Sequence, residues 1–543
     1  MWVLGINWEW HDSSAVLIDG DGAIWSFSEE ERFTRVKHAW QSFPTNAAQH
    51  CLAAANISWQ DLDVVAVGWD QPHNRRWFYP DRDRRNLLAT LFDADATDRK
   101  RPEIVFVEHH LAHAMSSFYA SGFTDAGVLV VDGSGEYYST SIYAADRTHG
   151  LVPKRHWHRG YSLGGVYEAA TRVLGFDVLD AGKTMGLAPY GNSQDSVILP
   201  LGDLVGETKP FFDIHPTAHY NRFTDAWMKY LSERFGSVTQ QSDQLDRDPV
   251  ATRLAASAQR TIEEAVRALY TETVCLTGSQ QICLAGGVAL NCVANGRLPD
   301  PVYVPPFPHD AGVALGAAWS VCPPTNPRLL ESTGLGTDPR PGKELDELRE
   351  QGFDVTDLSL EPVIDLLLQD RIGAIVEGNA EVGPRALGHR SIVALPRHQK
   401  TRDTINTLKG REPWRPLAPV TLPDYAPRLW PSQGLRELYM VGNTTVSSHA
   451  REVMPAAIHV DGTTRPQVLR AGQAPLLEAL LTALGRAGLP PVLVNTSFNG
   501  RGQPIVNSAK HAVQSFQELK LDFLVLDNYL IRPSAKQADG GLP

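Results

Sequence analysis

A strand-turn-strand-strand pattern occurs twice between residues 2 and 157, and it restricts the possible folds more than any other feature. Residues 2–7 read as a buried strand that enters a polar turn from Asn7 to Ser13. Ala15 to Ile18 follows, then a reversal at Asp19-Gly20-Asp21-Gly22 and a return through Ile24 to Phe27. The same order recurs as Gly127 to Val131, a polar turn from Asp132 to Glu136, Ser139 to Ala144, and Leu151 to Trp157.

Two such halves, each aiming its turn into a shared cleft, describe a duplicated α/β architecture of the actin-like ATPase kind. A chain of 543 residues exceeds what one core supports, so two or three domains are expected. Residues 322–345, rich in Pro, Gly and Thr, read as a linker, and a new strand starts at Ile372 to Val376. The expected division is 1–345 and 346–543. The net charge of −12 contains no block of like charge and argues against a nucleic-acid surface. Cys51, Cys275, Cys283, Cys292 and Cys322 form no C-x-x-C pair, which points to a reduced cytoplasm without disulfides or structural zinc. There is no basic segment leading an apolar run and no apolar stretch of membrane-spanning length, so neither export nor a membrane is expected.

Between the repeats, Thr45 to Ala55 reads as a helix, Asp63 to Trp69 as a strand, and Gln71 to Arg101 as charged surface helix and loop. Later, Ser162 to Leu174 and Thr252 to Leu276 are helical. The Gly182-Lys183-Thr184 of a glycine-rich loop suggests a phosphate-binding P-loop, but the first glycine of that motif would fall on Asp177, and Pro189 stops a long following helix. Lys183 could still meet a nucleotide or an acidic intermediate.

The chemistry concentrates in Glu108-His109-His110-Leu111-Ala112-His113 and the Asp132 that ends the second half's first strand. On a helix, His109 and His113 share one face, so both imidazoles can reach one ion while Asp132 arrives from the strand end. This predicts a mononuclear metal site. Asp310, at the start of an apolar helix running through Trp319, is either a cap or a further ligand. A zincin is excluded because H-E-x-x-H would need glutamate where His110 stands. Gly286 and Gly287, at a strand-to-helix turn, allow close approach to a flat or phosphorylated ligand. Arg385, Lys409, Arg411, Arg415 and Arg465 are grouped around Gly and Pro turns, which suggests a phosphate pocket, and Asn495 and Ser497 at a strand end could bond a planar carbonyl or amide.

Taken together, Gly5-x-Asn7 with His11-Asp12-x-Ser14, Glu30-Glu31-Arg32-Phe33, His109-His110-x-Ala112-His113-Ala114, Asp132-Gly133, Gly182-Lys183-x-Met185-Gly186-Leu187-Ala188-Pro189-Tyr190-Gly191, Gly286-Gly287-Val288-Ala289-Leu290-Asn291, Gly383-Pro384-Arg385-Ala386-Leu387-Gly388 and Asn495-Thr496-Ser497-Phe498-Asn499 resemble, from end to end, the O-carbamoyltransferases of nodulation-factor and antibiotic biosynthesis. That resemblance implies an actin-like N-terminal domain and a YrdC-like C-terminal one. It implies that carbamoyl phosphate and ATP, the latter with Mg, give carbamoyl-adenylate in the C-terminal domain. Arg385, Arg415 and Arg465 would hold the anions there, and Asn495 and Ser497 the carbamoyl group. It further implies Fe(II) or a similar divalent metal on His109, His113, Asp132 and Asp310, where a hydroxyl of a small natural product is carbamoylated. His11 is the candidate general base, with orienting the acceptor or capping the turn as its alternatives. Lys37, Gly164, Lys183 and Asn291 are candidates for nucleotide contact. The expected partner is the small hydroxylated acceptor, with no nucleic acid and no membrane, in the cytoplasm; a homodimer stays open. The rivals are a threonylcarbamoyl-type transferase acting on tRNA and a non-catalytic actin-like ATPase or chaperone.

Overall fold

The computed structural model describes residues 1–70, 87–93, 101–201, 210–212 and 220–534. The duplication is complete at the level of topology. In the first half, β1 (Val3–Asn7), β2 (Ser14–Ile18), β3 (Ile24–Glu29), β4 (Val64–Val67) and β5 (Glu103–Phe106) lie in the order β3-β2-β1-β4-β5. In the second, β6 (Asp125–Val131), β7 (Tyr138–Asp146), β8 (Gly150–His158), β9 (Ile282–Ala285) and β10 (Val302–Tyr303) lie in the order β10-β9-β6-β7-β8. Each first strand pairs antiparallel with the meander on one side and parallel with the fourth strand on the other. Both halves therefore carry one motif, and the actin-like reading holds. The first strands are buried along nearly their whole length because helices cover both sheet faces, which favours continuous apolar runs such as Val-Leu-Val-Val.

The helix Val313–Val321 holds the halves together. Its small residues let it lie close to both partners: a Cβ on Gly5 would come 2.0 Å from the carbonyl oxygen of Ala314, and one on Gly316 would come 1.7 Å from that of Ala112. The helix His109–Ser121 is thereby fixed against β1 through glycine, and Asp310, just ahead of Val313, is delivered to the histidine face. Gly316→Ala is expected to lower stability by about 3 kcal/mol, the upper end of what overpacking costs, because the clash is with backbone and cannot relax through a rotamer. A thermal scan against wild type checks this.

The chain from residue 353 onward builds a mixed α/β unit. Its eight strands are β11 (Phe353–Asp357), β12 (Gly373–Val376), β13 (Arg390–Ala394), β14 (Ala418–Thr421), β17 (Gln467–Val468), β18 (Val492–Ser497), β19 (Phe523–Leu526) and β20 (Tyr529–Pro533), ordered β11-β20-β19-β12-β13-β18-β14-β17. A separate ribbon pairs β15 (Thr444–Thr445) with β16 (Thr463–Thr464).

Two expectations need amendment. The Pro/Gly-rich stretch is no free tether, since Phe27 N donates to Leu335 O, Gly334 bridges to Glu381, and a helix begins inside it at Lys343. The loop at Gly182-Lys183 is a short helix, Ala181–Leu187, whose Thr184 hydroxyl is tied to Thr171 at 2.8 Å. Most of the charged stretch 71–101 lies outside the described residues; within it, residues 87–92 are helical.

Candidate active site

Four ligand-type side chains converge where the halves meet. Glu108 caps the helix His109–Ser121 by accepting the amides of His110 and Leu111, so the two histidines occupy its first turns and face the same way. His109 Nε2 lies 3.1 Å from His113 Nε2, 3.7 Å from Asp132 Oδ2 and 3.6 Å from Asp310 Oδ1, and His113 Nε2 lies 3.5 Å from Asp310 Oδ1. The four donor atoms all fall within 4.8 Å of one another, and all four residues are buried. The N-cap position of the turn Asp310–Gly312 is His309, and Asp310 is its first residue. His109 Nδ1 meets the carbonyl of Gly68 at 3.2 Å; donating there fixes the tautomer that leaves Nε2 a lone pair.

The Gly286-Gly287 turn serves this cluster. Gly286 has φ of 87°, and a Cβ there would sit 2.3 Å from Val131 O, so only glycine lets the turn close on the end of β6. Gly287 N then donates to Asp132 Oδ1 at 2.8 Å, leaving Oδ2 for the centre. Gly164 plays a similar part, since a Cβ on it would strike Gly133 N at 2.7 Å.

The electrostatics of the cluster suit a cation. Burial by itself would raise both carboxyls, yet Asp310 is held well below the usual carboxylate range by the charges of His11 and His109, and Asp132 is lowered by its hydrogen bond from His109. Burial by itself would lower His109, yet Asp310 and Asp132 drive it well above its ordinary value, while His113 is lowered by burial. Two buried carboxylates and two imidazole lone pairs around one point fit a divalent cation, and the N2O2 donor set suits Fe(II) or Mn(II) with zinc as a further fit.

His11 stands at the edge of this centre. Its Nδ1 is 2.9 Å from Asp12 Oδ2 and 3.9 Å from Asp310 Oδ2. Burial lowers its basicity, but Asp310 and Asp12 together push it up to about 9, above the unperturbed value on which its candidacy as a base rests. A dication beside Asp310 would remove part of that pull. Asp12 Oδ1 also takes His38 Nδ1 at 2.8 Å, so one buried carboxylate holds two histidines. Neither Asp12 nor His38 was assigned a role from the sequence; they lie 26 residues apart, and only the topology brings them together.

A second centre has the opposite sign. Arg385, Lys409, Arg411, Arg415 and Arg465 surround one another, with Glu412 as the nearest acid. Burial, then Arg465, holds Arg385 down at about 9, and burial, then Arg411 and Arg415, pulls Lys409 well below its usual range. Buried guanidinium nitrogens of Arg385, Arg411 and Arg465 have no hydrogen-bond partner. Such crowding is costly without an anion, so the pocket fits a phosphate-bearing ligand. Beside it, Asn495 Nδ2 bonds Ala386 O and Gln467 Oε1 while its buried Oδ1 has no partner, which suits a ligand N–H donor. Ser497 Oγ donates to Asn499, and Lys409 Nζ bonds the carbonyl of Ser497. Lys409 and Arg411, which the sequence reading sets beside Arg415 among the cations of a phosphate pocket, stand in the turn after the helix Gln399–Leu408 and join this group.

Lys183 pairs with Asp180 at 2.8 Å and Glu412 at 3.4 Å, so it belongs with the cationic pocket. Lys37 exerts its charge on both Asp180 and Lys409, linking that pocket to the loop that carries His38. Asn291 caps the helix Cys292–Gly296 and exchanges hydrogen bonds with Gln259 at 2.9 and 3.1 Å, so its amide is already occupied by structure.

The family model described as carbamoyltransferase N-terminus matches residues 2–81 and 78–319, and that described as carbamoyltransferase C-terminus matches residues 364–533. A nodulation protein, NolNO of Sinorhizobium fredii, is 32% identical over 96% of this chain and 79% of its own length. Nodulation protein NolO of Bradyrhizobium diazoefficiens is 33% identical over 78% of this chain and 79% of its own. Among solved structures, component A of (R)-2-hydroxyglutaryl-CoA dehydratase from Acidaminococcus fermentans aligns with a TM-score of 0.33 at 12% identity, covering 59% of this chain and 97% of its own. HypF of T. kodakarensis aligns with a TM-score of 0.35 at 12% identity over 58% of this chain and 46% of its own.

Proposed function

The chain belongs to the carbamoyltransferase family, and from that premise we propose that it makes carbamoyl-adenylate from ATP and carbamoyl phosphate in its C-terminal unit and passes the carbamoyl group to a hydroxyl of a small natural product in its N-terminal one. The observation that carries this reading is the pair of oppositely charged centres: a cationic pocket whose buried guanidinium nitrogens have no hydrogen-bond partner, and a buried cluster of two carboxylates and two imidazoles.

In the first stage Arg385, Arg411, Arg415 and Arg465 hold the phosphates of ATP and its donor, and Lys409 adds a point charge. Water first cleaves carbamoyl phosphate to carbamate and inorganic phosphate; a carbamate oxygen then attacks the α-phosphorus of ATP, the bond to the β-phosphate breaks, and pyrophosphate leaves. Asn495 Oδ1 accepts the carbamoyl N–H and so distinguishes this group from an acetyl or formyl analogue. Enclosure between the two units keeps water from the mixed anhydride.

In the second stage His109, His113, Asp132 and Asp310 would hold Fe(II) or a similar divalent ion, which when bound supplies Lewis-acid charge to the phosphate end of the intermediate. His11, its Nδ1–H held by Asp12, takes the acceptor's proton at Nε2. The acceptor oxygen bonds the carbamoyl carbon, and AMP leaves. The charge Asp12 places beside His11 stabilises the imidazolium that results, and Asp12 is itself kept ionised well below its usual range, largely by the three histidines around it and against the effect of burial.

The test supplies ATP, Mg and carbamoyl phosphate without acceptor. Pyrophosphate release with an adenylate of carbamoyl mass is the expected result, followed by a screen of hydroxylated compounds for the carbamoyl mass increment. Pyrophosphate release that does not depend on carbamoyl phosphate would overturn the reading. Among the described residues no helix is long and apolar enough to cross a membrane.

A further inference from the structure

We propose that Glu29 and Arg32 are positioning residues for the anion site: from the N-terminal unit they hold the loop that aims Arg385, so the adenylating centre of the C-terminal unit is completed by its neighbour. The inference rests on the transferase reading above.

Arg385 is not aimed by its own side-chain contacts. Its buried Nε has no hydrogen-bond partner, and its Nη2 meets Leu290 O only at 3.5 Å. An arginine whose donors are left for a ligand takes its direction from its backbone, here the loop Gly383–Gly388. Beyond Arg385 that loop is held from within the C-terminal unit. Glu381 Oε1 accepts the amides of Leu387, His389 and Arg390 at 2.9, 3.3 and 3.1 Å. Ala386 O and Leu387 O accept Asn495 Nδ2 and Gln467 Nε2 at 3.1 and 2.9 Å, so the same loop also orients Asn495.

Ahead of Arg385 the hold comes from the other unit. Gly383 donates its N–H to Glu29 Oε2 at 3.2 Å, and its carbonyl accepts Arg32 Nη2 at 2.7 Å. Arg32 closes the ring by donating to that Glu29 oxygen from Nε and Nη2, at 3.2 and 2.8 Å. Both polar groups of Gly383 are thus engaged by the last residue of β3 and the second residue of the helix Glu31–Thr34. Backbone shape fixes the same point independently. Gly383 has φ of 93°, and a Cβ on it would lie 2.2 Å from Pro306 O, so only glycine lets the loop settle on the segment that leads to Asp310.

The chemistry explains why an arginine stands here. Burial by itself would lower the Arg32 guanidinium, yet Glu29, Glu31 and Glu381 raise it, and it stays charged. Its planar fork serves a carboxylate and a carbonyl at fixed angles, which the single ammonium of a lysine does not. An ion pair that served the fold alone would need only its two side chains. This one is closed through main chain two residues from a guanidinium that awaits an anion. Arg35, just past the same helix, adds a second hold across the units: its Nη1 and Nη2 donate to Ile505 O and Pro504 O at 2.6 and 2.9 Å, in the stretch that follows Ser497.

The experiment titrates the full chain with ATP by calorimetry in a cycle of wild type, Arg32→Lys, Arg385→Ala and the double variant; the four other cations of the pocket keep binding measurable without Arg385. Arg32→Lys keeps the charge and gives up the fork. Its Kd is expected to weaken about tenfold when Arg385 is present and to change by no more than about twofold in Arg385→Ala, because the hold acts through the arginine already removed. Glu29→Gln is expected to weaken binding about threefold or more and to fall silent in the same background. A role in the fold alone would cost the same factor with and without Arg385. That additivity, or an unchanged Kd in both single variants, overturns the inference. If Arg32→Lys does not fold, the Glu29→Gln cycle decides it. Pyrophosphate release in response to carbamoyl phosphate is measured in parallel on wild type. A coupled cycle without release sinks the transferase reading and leaves the positioning role, whereas release with additive losses sinks only the positioning role.

Discussion

His113→Ala is expected to stop carbamoyl transfer by at least about a thousandfold while carbamoyl-adenylate continues to form. The histidine lies wholly in the N-terminal half, on the helix His109–Ser121, with its Nε2 at 3.1 Å from His109 and 3.5 Å from Asp310. None of the cationic residues that would bind ATP touches it. Removing one of four donors leaves three, and three buried donors of which two are carboxylates bind a dication weakly and in altered geometry. Metal analysis of the purified variant should therefore show a fall from about one equivalent towards zero, pyrophosphate release should stay within about twofold of wild type, and the adenylate should accumulate or hydrolyse. Loss of both stages together would mean that the two centres do not divide the reaction.

How far the sequence reaches depends on how far apart the cooperating residues are. The repeat of strand and polar turn is local, and the three-stranded meander in each five-stranded sheet follows from it, while β5 and β10 carry no such signal. The histidine pair is also local, because four residues are one helical turn. Asp132 is legible as the end of an apolar strand. What sequence cannot supply is long-range pairing. Asp12 with His38 depends on two loops meeting, and the cationic group depends on the turn after the helix Gln399–Leu408 packing against β18 and the Gly383–Gly388 loop. Gly286-Gly287 shows the same limit: the need for glycine is readable, but its service to Asp132 becomes visible only when β6 and β9 pair. Asn291 and Gly164 show the reverse case. Motif membership singles them out, while the structure spends the one on a helix cap and the other on a close approach of helix to turn.

Arg385→Ala should abolish adenylate formation, by about two to three orders of magnitude in rate, and leave the free protein at least as stable as wild type. The two effects have one cause. Arg385 is half-buried beside Arg465 and Arg415, and its buried Nε has no hydrogen-bond partner. In the unliganded protein each cation there repels the others at low effective dielectric, and burial and Arg465 hold Arg385 down at about 9, a mark of how poorly its charge is tolerated. Deleting it relieves that repulsion, so the melting temperature should hold or rise, the trade of stability for function seen where a site awaits a charged ligand. With substrate bound, the same repulsion is cancelled by phosphate and the guanidinium becomes a two-point anchor that no neighbour replaces. Inorganic phosphate or ATP should accordingly raise the melting temperature of wild type by more than that of the variant. A variant that melts well below wild type without ligand would show that Arg385 serves the fold, and the anion pocket would have to be sought elsewhere.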